Sequence, residues 1–384
     1  MEKRIKVLHL VLDDKFIDSH RVLWDCLEGV DNNYLLIVKN KKDYVFKYIK
    51  NLNNLDVCDK RDDFLKILLA GQYDVVFCCS LDSIFYKYVN IIPARIKIIC
   101  WFWGYDIYDA KGILKPLVQL NLYKEETLRY ISKHRKKFYF LRKLYWCLRY
   151  CYDCYIRDKA IKRVDYVSPV LPIEYSYLKK NRLFKADLFF SIYLKYYYTG
   201  EFKYFQKSGD VWFGNSATTT NNHLDIIKKL KMIGLVTQRK QTIIMPLVYG
   251  DVPYATYLKH NILSGEKQFK ILDTFVPYKE YCNLVESCSH AIFGVIRQQA
   301  IGNIFICLRS GVKLFLYKDS MVYEFLKQEG YIVYTIDEDL TEEGLNIPLS
   351  KEEAMHNYNL YKSKVPHENY ATALLLSELK RILN

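Results

Sequence analysis

Short apolar runs alternate with polar loops and helical repeats along most of the chain. Residues 4–12 read as a first buried strand, interrupted only by Lys6 and His9. A polar loop, Asp13-Asp14-Lys15-Phe16-Ile17-Asp18, leads into a helix carrying His20, Leu23, Trp24 and Leu27. Residues 34–38, 73–78 and 95–102 read as further strands, with a helical stretch at 64–70. Apolar runs of this kind suit strands covered on both faces, which is the condition of a parallel sheet. A strand at 166–169, a helix over 172–180 and a run at 188–193 follow, and the Tyr-rich stretch 195–209 reads as an interdomain linker.

The pattern then restarts. Residues 210–216 form a strand ending in Gly214-Asn215-Ser216, and Asn221 or Asn222 can cap a helix that runs to about residue 233. Strands at 242–248 and 269–272, with helices from 254 and over 278–288, continue the alternation. The clearest unit spans 290–317, HAIFGVIRQQAIGNIFICLRSGVKLFLY. It predicts a strand at 291–296, a short loop, a helix from about Ile301 to a Gly311 C-cap, and a strand at 312–317. A helix over 321–329, a strand at 332–335 and two terminal helices within 350–384 complete the chain. The expectation is α/β, with two Rossmann-like, doubly wound parallel-sheet domains facing a cleft, over residues 1–200 and 201–384. The last helix is free in sequence to pack back on the first domain.

Length agrees, since 384 residues exceed one ordinary core. A net charge of +14 points to an anionic partner: nucleic acid, a phosphorylated substrate or an anionic membrane face. Eleven Cys lack a framework spacing, and Cys147, Cys151 and Cys154 have no second pair to complete a zinc set, so reduced cytosolic thiols are expected. The first apolar run is too short for a signal peptide, and no uncharged stretch reaches the ~18–20 residues of a spanning helix.

Composition shifts between residues 111 and 165, where Lys and Arg are interleaved with Tyr, Phe, Trp and Leu. Three readings fit: a bundle helix with a solvated basic face, an interfacial helix on anionic lipid, or a surface on which bases stack.

The chemistry concentrates at strand ends. Free N–H groups at the helix after 291–296 attract anions, and Arg297 adds a planar fork suited to phosphate oxygens. Gln298 and Gln299 can donate and accept, and Gly302 permits close backbone approach. Gly214-Asn215-Ser216 feeding a helix with His223 in its first turn is a second anion loop of the same sheet. Asp14, Asp18, His20 and Asp106 are the candidate bases of the first half, Asp106 lying beyond an aromatic wall at Trp103-Gly104. There is no convincing DxD for a nucleotide-bound metal, so a metal-independent transfer from an activated donor is expected.

Four motifs carry a resemblance. They are W-x-W-G-Y-D-I-Y at 101–108, G-N-S followed by N-N-H at 214–223, M-P with Tyr249-Gly250 at 245–250, and F-x-x-x-R-Q-Q-x-I-G at 293–302. With His9 and Asp14 also in step, the chain resembles glycosyltransferase family 56, the 4-acetamido-4,6-dideoxygalactose transferases of lipid-linked surface polysaccharide assembly (enterobacterial common antigen type). The resemblance implies a GT-B fold, a dTDP-linked donor, a polyprenyl-diphosphate-linked saccharide acceptor, and a cytoplasmic protein peripheral on the inner face of the membrane. No cofactor, no metal and no nucleic-acid partner are expected, and the resemblance favours the lipid reading of 111–165. Gly214, Asn215, Ser216, His223, Tyr249, Arg297, Gln298, Gln299, Gly302 and Asp319 become donor-site expectations. Trp103, Gly104 and Asp106, with His20 and Asp14, become acceptor-side ones. Where the family carries Gly after the Gln pair, this chain has Ala300. A UDP or GDP donor, and a non-enzymatic polyanion or nucleic-acid binder, are the alternatives.

Overall fold

A computed structural model describes residues 3–14, 16–109, 115–134, 143–189, 208–234, 241–364 and 368–384. Most of the expected linker 195–209, part of the basic run around 135–142, and most of the run 188–193 lie outside the described residues. The chain divides into two units.

The first unit comprises Met1–Gln119, Phe138–Tyr196 and Pro366–Asn384. It begins β1 (Ile5–Val11), α1 (Ile17–Asp25), β2 (Val30–Ile37), β3 (Leu55–Cys58), α2 (Arg61–Gly71), β4 (Val75–Cys78), α3 (Tyr86–Val89) and β5 (Lys97–Trp101). After β5 the chain forms α4 (Glu125–His134), which belongs to the second unit, then α5 (Lys143–Arg163), β6 (Tyr166–Ser168), α6 (Glu174–Lys179) and β7 (Asp187–Leu188). The strands make one sheet in the order β3-β2-β1-β4-β5-β6-β7, every pair parallel. The chain leaves β1 toward one edge and returns at β4 toward the other. The loops after β1 and β4 therefore flank the switch point, where open α/β sheets bind ligands.

The second unit comprises Leu120–Lys137 and Tyr197–Val365. It holds β8 (Val211–Phe213), α7 (His223–Met232), β9 (Ile243–Pro246), α8 (Val252–Tyr257), β10 (Phe269–Leu272), α9 (Tyr278–Ser287), β11 (His290–Phe293), α10 (Ile301–Ser310), β12 (Lys313–Leu316), α11 (Met321–Gln328), β13 (Tyr334–Thr335), α12 (Glu342–Asn346) and α13 (Lys351–Lys364). Its parallel sheet runs β10-β9-β8-β11-β12-β13, so β8 and β11 flank the switch point. The final helix, α14 (Glu368–Leu383), contributes Leu375, Leu379 and Ile382 to the core of the first unit.

Three readings of the sequence change. Residues 120–137, read as part of the first domain, are fixed to the second: the Asp225 carboxylate accepts from Glu126 N, Thr127 N and Thr127 Oγ1 at 2.8, 3.1 and 2.7 Å, meeting α4's otherwise unpaired N-terminal donors. The strand expected at 291–296 leaves the ladder after Phe293, because Gly294 packs against the Asn221 carbonyl where a Cβ would collide. β3 gave no sequence signal, being four residues beside a polar loop of which only Cys58 is buried.

Candidate functional site

In the second unit, both helices at the switch point open on a left-handed residue. Asn222 precedes α7 at φ 50° and ψ 39°, and Ala300 precedes α10 at φ 61° and ψ 15°. A left-handed residue just before a helix gathers successive N–H groups into a concave anion-binding nest. Ala300 occupies that conformation at a cost of about 1–2 kcal/mol that glycine avoids. Ala300→Gly should therefore raise the melting point of this unit by about 2–4 °C per kcal/mol recovered, read by calorimetry.

The two loops are tied to each other. The Gln299 carboxamide accepts from Thr220 Oγ1 at 2.7 Å and donates to Asn215 Oδ1 and Thr218 Oγ1, each at 3.1 Å. Gln299 thus holds loop to loop. Gln298 is also buried, but among the described residues its Oε1 has no hydrogen-bond partner. Arg297 is only 7% exposed, and its Nη1 donates to the Gln298 carbonyl at 2.8 Å. Gly302 lies in the first turn of α10.

Gly214 has φ 72°, and a Cβ there would stand 2.9 Å from His223 Nε2. His223 therefore backs the Gly214 loop instead of entering it, fully buried, with neither ring nitrogen hydrogen-bonded among the described residues. Burial lowers its pKa to about 3. An unfolded His titrates near 6.5, so below that pH the unfolded chain takes up a proton that the folded unit refuses. Stability is complete above pH 6.5 and falls as pH drops toward 3, by about 2 kcal/mol at pH 5 from this group. In urea unfolding at pH 7 and pH 5, His223→Leu should lose less stability between the two than the wild type.

Ser216 is buried, its Oγ 3.1 Å from Thr218 Oγ1. Tyr249, 52% exposed, accepts from Asn215 Nδ2 at 3.3 Å through its hydroxyl. Asn222 stands at the N-cap without capping: its Nδ2 donates to Leu122 O and Gly294 O, and its Oδ1 accepts from Lys124 N. Asp319 binds the Lys124 ammonium through both oxygens, at 2.9 and 2.8 Å, with Nζ also 4.4 Å from the Tyr317 ring centroid. Lys124, Thr218, Thr220 and Gly294 escaped the sequence reading. Lone Lys and Thr residues carry no pattern, although N-N-H marked the neighbouring turn.

In the first unit, the loops after β1, β4 and β5 bring Asp14, Asp82 and Asp106 around Tyr105, whose phenol is pushed up by burial and then by these carboxylates. The ring of Phe16 stacks on Trp103 at 4.7 Å, making an aromatic shelf, and Trp103 Nε1 donates to the Cys79 carbonyl at 2.6 Å.

The candidate bases separate. Asp106 is 4% exposed and uses both oxygens on backbone donors, Leu81 N at 3.0 Å and Trp103 N at 3.1 Å, so it holds the shelf in place. Asp18 likewise accepts from Lys50 N and Asn51 N. His20 is fully buried in the core, its Nε2 3.0 Å from His9 Nδ1, and burial, the His9 ring and the Arg21 charge hold it neutral. Asp14 is the exposed one, its Oδ1 receiving Phe16 N at 2.9 Å.

Several solved structures share the whole fold. A glycosyltransferase from Rickettsia africae aligns with a TM-score of 0.58 at 11% identity, over 99% of this chain and 98% of that one. Sucrose-phosphate synthase from Thermosynechococcus elongatus aligns at 0.60 and 8%, over 99% of both chains. The O-GlcNAc transferase of Thermobaculum terrenum aligns at 0.58 and 8%, over 99% of this chain and 68% of that one. With two doubly wound parallel sheets, the protein has the GT-B fold. A family profile described as 4-alpha-L-fucosyltransferase, glycosyl transferase group 56, matches residues 138–352. The chain belongs to that family and is a glycosyltransferase; the non-enzymatic polyanion binder is set aside.

Proposed function

We propose that the protein transfers a 4-acetamido-4,6-dideoxygalactose-type sugar from dTDP to a polyprenyl-diphosphate-linked saccharide during surface polysaccharide assembly. The observation that carries this reading is the pair of left-handed helix entries, at Asn222 and Ala300, beside the buried Arg297. An acceptor hydroxyl attacks the anomeric carbon of the sugar. The new carbon–oxygen bond forms as the bond to the dTDP phosphate breaks, and Asp14 takes the hydroxyl proton. Charge developing on the departing diphosphate is met by the two helix N-termini and the Arg297 guanidinium. These cationic and N–H groups can do so without a divalent ion, so transfer proceeds without added metal.

The family description, which names fucose, a 6-deoxygalactose, supports the proposed sugar class. Support for a lipid-linked acceptor comes from α5, where Tyr152, Tyr155, Lys159 and Lys162 are exposed at spacings of three, four and three, which puts two rings and two cations on one helix face. Such a stripe suits the headgroup level of an anionic membrane. No helix among the described residues is long and apolar enough to cross one. A peripheral position on the inner face of the cytoplasmic membrane fits both observations.

The test is transfer itself. Purified protein incubated with the dTDP-linked sugar and a polyprenyl-diphosphate saccharide should yield a lipid-extractable product heavier by one sugar. Equal product from UDP- or GDP-linked sugars, with none from dTDP, would move the donor assignment.

A further inference from the structure

The first unit contains a cluster that the transfer reaction does not use. His9 of β1, His20 of α1 and Cys79, just after β4, are all buried, and one ligating atom from each lies within 4.8 Å of the others. A histidine flanked by the buried Val7, Leu8, Leu10 and Val11 of β1 needs a reason, because burial disfavours its charge and leaves its polar atoms to be satisfied.

Hydrogen bonding fixes how His9 presents itself. The Asn32 amide donates through Nδ2 to the Trp24 carbonyl at 2.7 Å, which turns Oδ1 toward His9 Nε2 at 3.0 Å. Nε2 therefore carries the proton, and the Nδ1 lone pair faces inward, toward His20. A ligating histidine is commonly held this way, with its second nitrogen donating to a fixed acceptor. His9 Nδ1 and His20 Nε2 stand 3.0 Å apart. Two nitrogens on one tetrahedral zinc, each at ~2.05 Å, are separated by roughly 3.3 Å. Without a cation, His20 Nε2 donates to the His9 Nδ1 lone pair; ligation through Nε2 moves this proton to His20 Nδ1, which is buried without a hydrogen-bond partner among the described residues. Both imidazoles are held neutral by burial, as metal ligands must be.

We propose that His9, His20 and Cys79 form a structural site for one zinc-class divalent cation in the core of the first unit. Binding releases the Cys79 thiol proton to solvent, and the thiolate offsets one of the cation's two charges. The thiol by itself is hard to ionise here, burial being the main cause, and a coordinated cation reverses that balance. Drawing the sulfur to the ~2.3 Å of a zinc–thiolate bond needs a closure of roughly 1 Å at Cys79. Cys79 also supplies the carbonyl that holds the Trp103 indole, so the cation would stiffen the aromatic shelf without touching donor or acceptor.

The full-length protein, stripped with a chelator, is titrated with Co2+ and then Zn2+. One equivalent of Co2+ should give an intense thiolate-to-cobalt absorption band that Zn2+ displaces, and Zn2+ should raise the melting midpoint. Cys79→Ser should lose both effects. Asn32→Ala, which frees the His9 ring while leaving all three ligands, should bind about 10–100-fold more weakly. Cys151→Ser, at an exposed thiol, should bind as the wild type does. No charge-transfer band in the folded wild type, or a band that persists in Cys79→Ser, overturns the proposal. Should Cys79→Ser fail to fold, wild-type affinity in Asn32→Ala overturns it instead.

Discussion

Arg297→Ala should lower kcat/KM by about 10²–10³-fold while the protein stays folded. The guanidinium stands in the loop between β11 and α10, and its Nη1 donates to the carbonyl of the adjacent Gln298. Removing it deletes a preorganised charge-assisted donor, a loss of about 2.7–4 kcal/mol of transition-state stabilisation. An exposed helix N-terminus contributes only ~0.3–1 kcal/mol toward an anion, so the two helix entries cannot replace it. Steady-state kinetics beside a thermal melt read both halves of the expectation. Arg297→Lys should recover only part of the loss, because an ammonium lacks the planar fork that meets two phosphate oxygens. Near-normal turnover in the alanine variant would remove Arg297 from the site.

Asp14→Asn should reduce kcat by about 10²–10⁴-fold and leave nucleotide affinity within about twofold, since the lost function is proton acceptance. Among the first-unit carboxylates considered as bases, Asp14 is exposed, while Asp106 and Asp18 are occupied by backbone donors. The acid limb of the pH–rate profile should disappear in the variant. A kcat within tenfold of wild type, with the limb intact, would assign the proton to another group. The asparagine can still accept Phe16 N through its carbonyl, so a shifted loop should not imitate the effect.

The parallel sheets were legible because their strands are buried on both faces and read as apolar runs. The unit from β11 through α10 to β12 stood out for that reason, its Gly311 ending the helix at φ 69° as a C-cap glycine does. The site was legible as positions and less so as roles. Arg297, Gln298 and Gln299 share one loop, yet nothing in the three letters says that Gln299 is committed to Thr220, Asn215 and Thr218. That depends on a contact spanning some eighty residues. His20 and Asp106 read as candidate bases, but their burial and, for Asp106, its two backbone donors depend on contacts that the sequence does not display. Residues 120–137 illustrate the same limit, since the carboxylate that caps α4 comes from Asp225 on α7. Ala300 is the reverse case: its departure from glycine was visible in sequence, and the left-handed backbone gives that departure a physical meaning.

The measurement that bears most directly on the donor assignment is calorimetric titration of the protein with dTDP, UDP, GDP and ADP under one condition. The expected result is binding of dTDP at least tenfold tighter than of the other three, weakened in Arg297→Ala. Equal binding of all four, or preference for UDP or GDP, would contradict the dTDP assignment.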